Sequence, residues 1–317
     1  MGRLMNALDK TKVLKHLIDE GEYIFGEILD ATKAKELFKK MLEKRSFGRD
    51  LFLTEQEYVR QENHFNANPT TGRNFLNSFA TELEFVEKDF ELQEMIKAVL
   101  GQDYEIVIKK AICGVPFDWL PDWVARKVNN INVANLGAYI KPPYRDITYF
   151  RGIDYHQDII DWPQGKIDLD PASFITLYVY LHDVGVHDSP LYLLPQSHKL
   201  GATLFPHKLT KQTSSQWCYQ DHHERHQICN ELVLTGKAGY VGMWHNCTLH
   251  GTRPINNVAE KMRISLRYLL SKAKKNTNRL GIDVINESID GDLCPVRTRK
   301  DIDDKGIARL RGNTINR

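Results

Sequence analysis

The sequence predicts a mainly β chain with flanking helices: a β-sandwich or jelly-roll core behind an N-terminal helical buttress. Three observations carry this. The first hundred residues show helical spacing. From there to about residue 270, short strand-like runs alternate with Pro, Gly, Asp and Asn. Two of those runs have one greasy and one polar face.

In the helical part, Leu37, Phe38, Met41 and Leu42 recur at helix spacing between Lys and Glu. TELEFVEKDFELQEMIKAVL, residues 81–100, ends at Gly101, a glycine suited to cap a helix C-terminus. YEIVIKKAI is then strand-like, as is VANLGAYI before the break at Pro142-Pro143. FITLYVYLHD alternates, with Phe174, Thr176, Tyr178, Tyr180 and His182 on one side. Ile175, Leu177, Val179 and Leu181 take the other. MRISLRYLL likewise sets Arg263, Ser265 and Arg267 against Ile264, Leu266 and Tyr268. The polar sides must meet water or a lined cavity. The expected organisation is a single domain over 1–317: a helical part over about 1–101 and a jelly-roll core over about 102–271. Within the core, a polar, strand-poor insertion or lid is expected over about 202–234. A polar tail with little apolar periodicity follows over about 272–317.

Composition bounds the function. The 317 residues are 42% hydrophobic and 26% charged, which is globular. No run approaches the roughly 18–20 apolar residues of a membrane helix. The N-terminal stretch lacks the apolar run of a secretory leader, and Asn6 stands where a myristoylation motif wants Ser or Thr. With 43 Lys and Arg against 41 Asp and Glu, the net charge of +2 argues against a nucleic-acid-coating protein. The five cysteines are odd in number and form no CxxC, which predicts reduced thiols in a cytoplasmic protein. A monomer or homodimer is expected.

The chemistry centres on YHQDIIDWP, where His156 and Asp158 lie two apart and share a strand face. His250 in GMWHNCTLHGTRP is the best second imidazole. Two histidines and a carboxylate form the facial triad of non-haem Fe(II) oxygenases, leaving open positions for a bidentate co-substrate and oxygen. If the co-substrate is 2-oxoglutarate, its distal carboxylate needs a buried cation. Arg263, thirteen residues after His250, fits that need, with Ser265 on the same face. Arg267 ranks second, one pleat further from the metal end, or serves substrate binding. Other histidines read as structural. HHERH, residues 222–226, is not HExxH and is expected to be a solvated surface. His245 is expected in the core or beside a ligand. The adjacent pairs His182-Asp183 and His187-Asp188 point to opposite faces and are poor chelators.

Over about residues 20–271 the chain resembles the phytanoyl-CoA dioxygenase family of Fe(II)/2-oxoglutarate oxygenases. IKPPYRDITYFRGIDYHQDIIDWP looks like its Lys-Pro-Pro segment leading into His-Gln-Asp. SPLYLLPQSHKLG is similar to its Pro-x-Ser-His-Lys turn, and HGTRPINNVAEKMRISLRY to its second-histidine block. The resemblance implies a cupin-like, double-stranded β-helix core. It implies Fe(II) on His156, Asp158 and His250, and 2-oxoglutarate on Arg263, with O2 as co-substrate. It further implies that Tyr178, with Gln157 and more weakly Lys141, serves the co-substrate pocket. The His250–Arg263 spacing is two residues longer than the family pattern, and SPLYLLP lacks the usual Gly-Cys-like start.

Related halogenases carry a small residue where Asp158 stands, so the aspartate points to hydroxylation of an unactivated C–H, or to desaturation or cyclisation. A small metabolite is the leading substrate class; an acyl-CoA or carrier-tethered acyl group is the alternative. A non-catalytic jelly-roll binding protein is the rival from another class. Tyr149, Trp162 and Trp244 are candidates for an apolar substrate wall, and Arg145 and Arg151 for an anionic substrate.

Overall fold

The computed structural model describes residues 9–60, 75–128, 133–158, 174–203, 207–255, 261–293, 307–310 and 313–316. Trp162 lies outside them.

The chain opens with α1 (Lys10–Glu20), whose first turn is capped by the Asp9 carboxylate accepting from Thr11 N. Gly21 ends the helix in the left-handed region at φ 77°. The strand β1 (Glu22–Glu27) follows directly. Asp30 then caps α2 (Ala31–Lys44), which buries Ala34, Leu37 and Met41 along one stripe. Three short helices, α3 (Glu55–Arg60), α4 (Glu84–Glu87) and α5 (Phe90–Leu100), complete the N-terminal part. After them come β2 (Glu105–Gly114), α6 (Asp122–Val128), β3 (Val133–Asn135), β4 (Thr148–His156), β5 (Phe174–Tyr180) and β6 (Leu191–Leu194). A small sheet is made by β7 (Lys208–Lys211), β8 (Gln216–Gln220) and β9 (His226–Asn230). The chain returns to the main sheet through β10 (Leu232–Leu234), β11 (Tyr240–His245), β12 (Leu249–Thr252) and β13 (Arg263–Ser271). It ends with α7 (Gly281–Glu287) and the hairpin β14 (Ile307–Leu310)–β15 (Asn313–Asn316).

The main sheet runs β1-β11-β5-β13-β2-β4-β12-β6-β10, with β3 pairing β4. It curls into the jelly-roll core the sequence predicts, and its two faces are chemically different. Ile175, Leu177 and Val179 of β5 and Ile264, Leu266 and Tyr268 of β13 join the helices in the larger core. Val13, Leu17, Leu37, Met41, Leu92 and Ile96 supply the helical side. Each such side chain contributes about 1.5–3 kcal/mol by full burial. The opposite face is the concave one, since directly paired residues share a side. It carries Thr176, Tyr178 and Tyr180 of β5, opposite Leu269, Arg267 and Ser265 of β13. Gly242 and Trp244 of β11 and Ile112 and Gly114 of β2 extend it. The polar faces predicted for β5 and β13 thus line one interior.

Three expectations about organisation are corrected. The N-terminal hundred residues are not wholly helical: β1 adds an edge strand beside β11. Tyr23, Ile24 and Phe25 favour extended backbone, and the left-handed glycines 21 and 26 bound them. The 202–234 insertion is not strand-poor. Its strands are solvated on much of both faces, so they show no apolar alternation to read. The tail is not without a buried face: Ile282 and Ile285, one turn apart on α7, are fully buried.

Candidate metal centre

Strand β4 ends at His156, and β12 pairs His250 directly opposite it. The two rings lie 4.3 Å apart. The strands approach closely here: a Cβ on Gly251 would stand 2.6 Å from Ile153 O, which is why a glycine follows His250. Asp158 sits just past the strand, with its amide donating to Asn246 O at 3.2 Å. His156, Asp158 and His250 are all buried, and a ligand atom of each lies within 4.8 Å of the others. His250 Nε2 is 3.4 Å from Asp158 Oδ1.

The imidazoles are set in one tautomer. His156 Nδ1 lies 2.9 Å from Asp154 O, and His250 Nδ1 lies 3.1 Å from Thr248 O. A carbonyl only accepts, so each Nδ1 carries a hydrogen, which leaves Nε2 of each ring as the atom to offer a metal. Asp158 is held from both oxygens: the Thr176 hydroxyl donates to Oδ2 and Arg267 Nη2 donates to Oδ1. Burial alone would raise its carboxyl, but Arg267 and His250 outweigh that and hold it well below the usual carboxylate range. The donor set is therefore two imidazoles, each tied at Nδ1 to a backbone carbonyl, and one ionised carboxylate.

Around the triad the interior holds polar atoms with no partner among the described residues. They include Arg263 Nε, Ser265 Oγ, Trp244 Nε1 and Thr252 Oγ1. Buried donors left unpaired cost about 1–3 kcal/mol each, which marks a space built to take a polar guest. Arg263 is 1% exposed. Its guanidinium donates to Ser189 O and sits 5.8 Å over the Tyr178 ring. Trp244 packs 5.0 Å from the His250 ring. These residues fit a divalent iron with an anionic co-substrate beside it.

Several sequence expectations change. Arg267, not Arg263, reaches the metal end, because β13 runs antiparallel to β5 and brings Arg267 opposite Tyr178. Arg263 lies four residues further along the same face, about 13 Å at strand rise. Gln157 does not face the pocket: its amide donates to Gly201 O and Cys247 O and accepts from Thr203 N, so no amide hydrogen is left for a co-substrate. Lys141 is also elsewhere. Its backbone is tied to Leu51, and its charge acts on Glu57. Tyr149 belongs to the outer core, since alternation along β4 turns it away from the interior. Arg145 donates to Ile140 O and Arg151 to Val128 O, which are structural contacts. His245 lies in the core, bonded to Asn286 and Cys247 N. Thr176 went unremarked as a site residue because a lone threonine in an apolar strand carries no motif.

The sequence profile of the family described as phytanoyl-CoA dioxygenase (PhyH) matches residues 27–264, three quarters of the chain. The chain belongs to this family. It is accordingly an oxidoreductase of the iron- and 2-oxoglutarate-dependent oxygenase class. No curated protein matches at a significant level. Among solved structures, this PhyH-family chain is similar to SnoN, a non-heme alpha-ketoglutarate-dependent epimerase from nogalamycin biosynthesis. The TM-score is 0.50 at 12% identity, covering 83% of each chain. SnoN in complex with Fe3+, alpha ketoglutarate and nogalamycin RO gives 0.50 at 13% identity, over 83% of this chain and 84% of that one. EctD from S. alaskensis, with 2-oxoglutarate and 5-hydroxyectoine, gives 0.46 at 13% identity over 88% and 80%. At 12–13% identity the likeness to SnoN is one of fold. No helix among the described residues is long and apolar enough to cross a membrane.

Proposed function

We propose that the chain hydroxylates an unactivated C–H of a small molecule, with Fe(II) held by His156 Nε2, Asp158 and His250 Nε2. The observation that carries this is the paired Nδ1-to-carbonyl bonding, which leaves Nε2 of each ring as the ligand atom beside an ionised carboxylate. Bound there, iron supplies the activation of oxygen at the expense of 2-oxoglutarate, which ends as succinate and carbon dioxide.

This chain's own residues do the positioning. Arg263, with Ser265 on its face, receives the distal carboxylate of 2-oxoglutarate, and Tyr178 forms the adjoining wall. Thr176 fixes the Asp158 carboxylate plane. Arg267 balances the buried charge of Asp158. Trp244, Tyr180 and Leu193 keep the interior apolar and exclude water. Asp158 supports hydroxylation over halogen transfer, since its carboxylate fills the position a halide would need.

The test is a panel of small metabolites and acyl thioesters, incubated aerobically with Fe(II) and 2-oxoglutarate and read by succinate formation and product mass. A substrate-stimulated product 16 Da heavier is expected on the order of one oxygen atom. Succinate release without any oxygenated product on the substrates that stimulate it would overturn the hydroxylase reading.

A further inference from the structure

The β8–β9 turn, residues 221–225, carries a second cluster of metal-ligand type, well apart in sequence from the triad. His222 Nε2 is 3.7 Å and His223 Nε2 3.9 Å from one oxygen of Asp292. The two rings are 4.0 Å apart, and the three ligand atoms lie within 4.8 Å of one another. Neighbouring residues of a strand point to opposite sides. Here a turn brings both to the same side. Asp221, 1% exposed, accepts from His223 N and Arg225 N, and Glu224 adopts φ 64°. A left-handed non-glycine residue costs about 1–2 kcal/mol, so this geometry is held against a gradient.

The third ligand is brought in by separate tethers. Asp292 O accepts from Ala202 N at 2.6 Å, Gly291 N donates to Lys199 O at 3.1 Å, and Arg225 donates to Asp290 O. The one cation in the turn is neutralised, since Arg225 pairs with the Asp221 carboxylate at 2.6 Å.

We propose that His222, His223 and Asp292 form a second divalent transition-metal site, of the zinc type, which staples the segment after α7 to the β8–β9 turn. A tetrahedral zinc with bonds near 2.0–2.1 Å sets its ligand atoms about 3.4 Å apart. The two imidazole–carboxylate separations of 3.7 and 3.9 Å need about 0.3–0.5 Å of closure, and the third pair at most about 1.4 Å, from partly or largely exposed side chains. Two imidazoles and one carboxylate select zinc, nickel or cobalt, and disfavour magnesium and calcium, which want oxygen ligands. Three protein ligands in an open position leave room for water.

The staple connects inward. Asp292 holds Ala202, its neighbour Gly201 accepts from Gln157, and Gln157 stands between His156 and Asp158. A metal on the outer cluster therefore fixes the loop that braces the triad from behind.

The test uses tag-free, full-length apoprotein titrated with Zn2+ by calorimetry, beside the H222A/H223A double variant and Asp292→Asn. All three side chains are partly or largely exposed, so the fold is expected to survive. The double variant should lose one zinc equivalent relative to the parent, and Asp292→Asn should weaken that equivalent about tenfold or more. Amide hydrogen exchange of residues 200–203 and 290–292 should slow with zinc in the parent and in Asp158→Ala, but not in the double variant. Mg2+ should produce neither effect. An unchanged zinc stoichiometry in a folded double variant, or zinc-dependent protection that persists in it, would overturn the proposal. Loss of the triad ion alone, in Asp158→Ala, leaves this outcome readable.

Discussion

Thr176 offers the sharpest perturbation of the triad, because it touches the carboxylate and nothing else of the donor set. Thr176→Val keeps the shape and removes the hydroxyl that donates to Asp158 Oδ2. Both residues are at most 1% exposed, so water cannot replace the lost bond. A hydrogen bond to a charged group contributes about 1.5–3 kcal/mol. Part of that appears as lost stability of the apoprotein, and part as a carboxylate free to rotate away from the two Nε2 atoms. Removing such an outer partner typically lowers metal affinity by about 10–100-fold, or about 1.4–2.8 kcal/mol. Anaerobic titration with Fe(II), or Mn2+ as a spin probe, measures it directly. Thr176→Ser should restore most of the affinity. A Thr176→Val protein that is folded and binds metal as tightly as the parent would refute the idea that this hydroxyl sets the carboxylate.

Arg263→Gln should raise the KM for 2-oxoglutarate by about 10–100-fold, the loss of one charged hydrogen-bonding pair, while leaving Fe(II) affinity near that of the parent; steady-state kinetics and metal titration separate the two. Gly21→Ala should lower stability by at least about 1 kcal/mol from the left-handed backbone alone. It would also set a Cβ 2.3 Å from His198 Nδ1, so urea unfolding should show a larger loss. Burial pushes the His198 imidazole down to about 3. The unfolded chain takes up a proton near pH 6.5 and the folded one does not, so this stability is present above pH 6.5. It is lost as pH falls towards 3, at up to about 1.4 kcal/mol per pH unit. His198→Gln should flatten the slope of urea midpoints between pH 7 and 5; an unchanged slope would remove His198 from the account.

The jelly-roll interior was legible because β5 and β13 alternate cleanly: one side joins the helices, and the other carries Tyr178, Ser265 and both arginines. The triad was legible because its spacing is short at His156 and Asp158 and its second histidine precedes a glycine. What stayed hidden depends on register across the sheet. Which arginine meets Asp158 is decided by how β13 slides against β5, and no local pattern records that. The same holds for Thr176, which becomes a partner of Asp158 only once two strands are paired. Gln157 shares the motif but turns out of the pocket, because successive residues alternate faces. The His222–His223 turn read as solvent-facing, and it is largely exposed; its third partner lies some seventy residues later, brought near by backbone contacts rather than by apolar periodicity.

The central claim is that iron and 2-oxoglutarate meet at His156, Asp158 and His250. The most direct measurement is the visible charge-transfer band formed when Fe(II) and 2-oxoglutarate are added anaerobically to the full chain, followed in the parent and in Asp158→Ala. The parent should develop the band with one equivalent of Fe(II) at this centre, and Asp158→Ala should lose both the band and 2-oxoglutarate turnover. A folded parent that shows no band, or an Asp158→Ala protein that releases succinate at the parent's rate, would contradict the account.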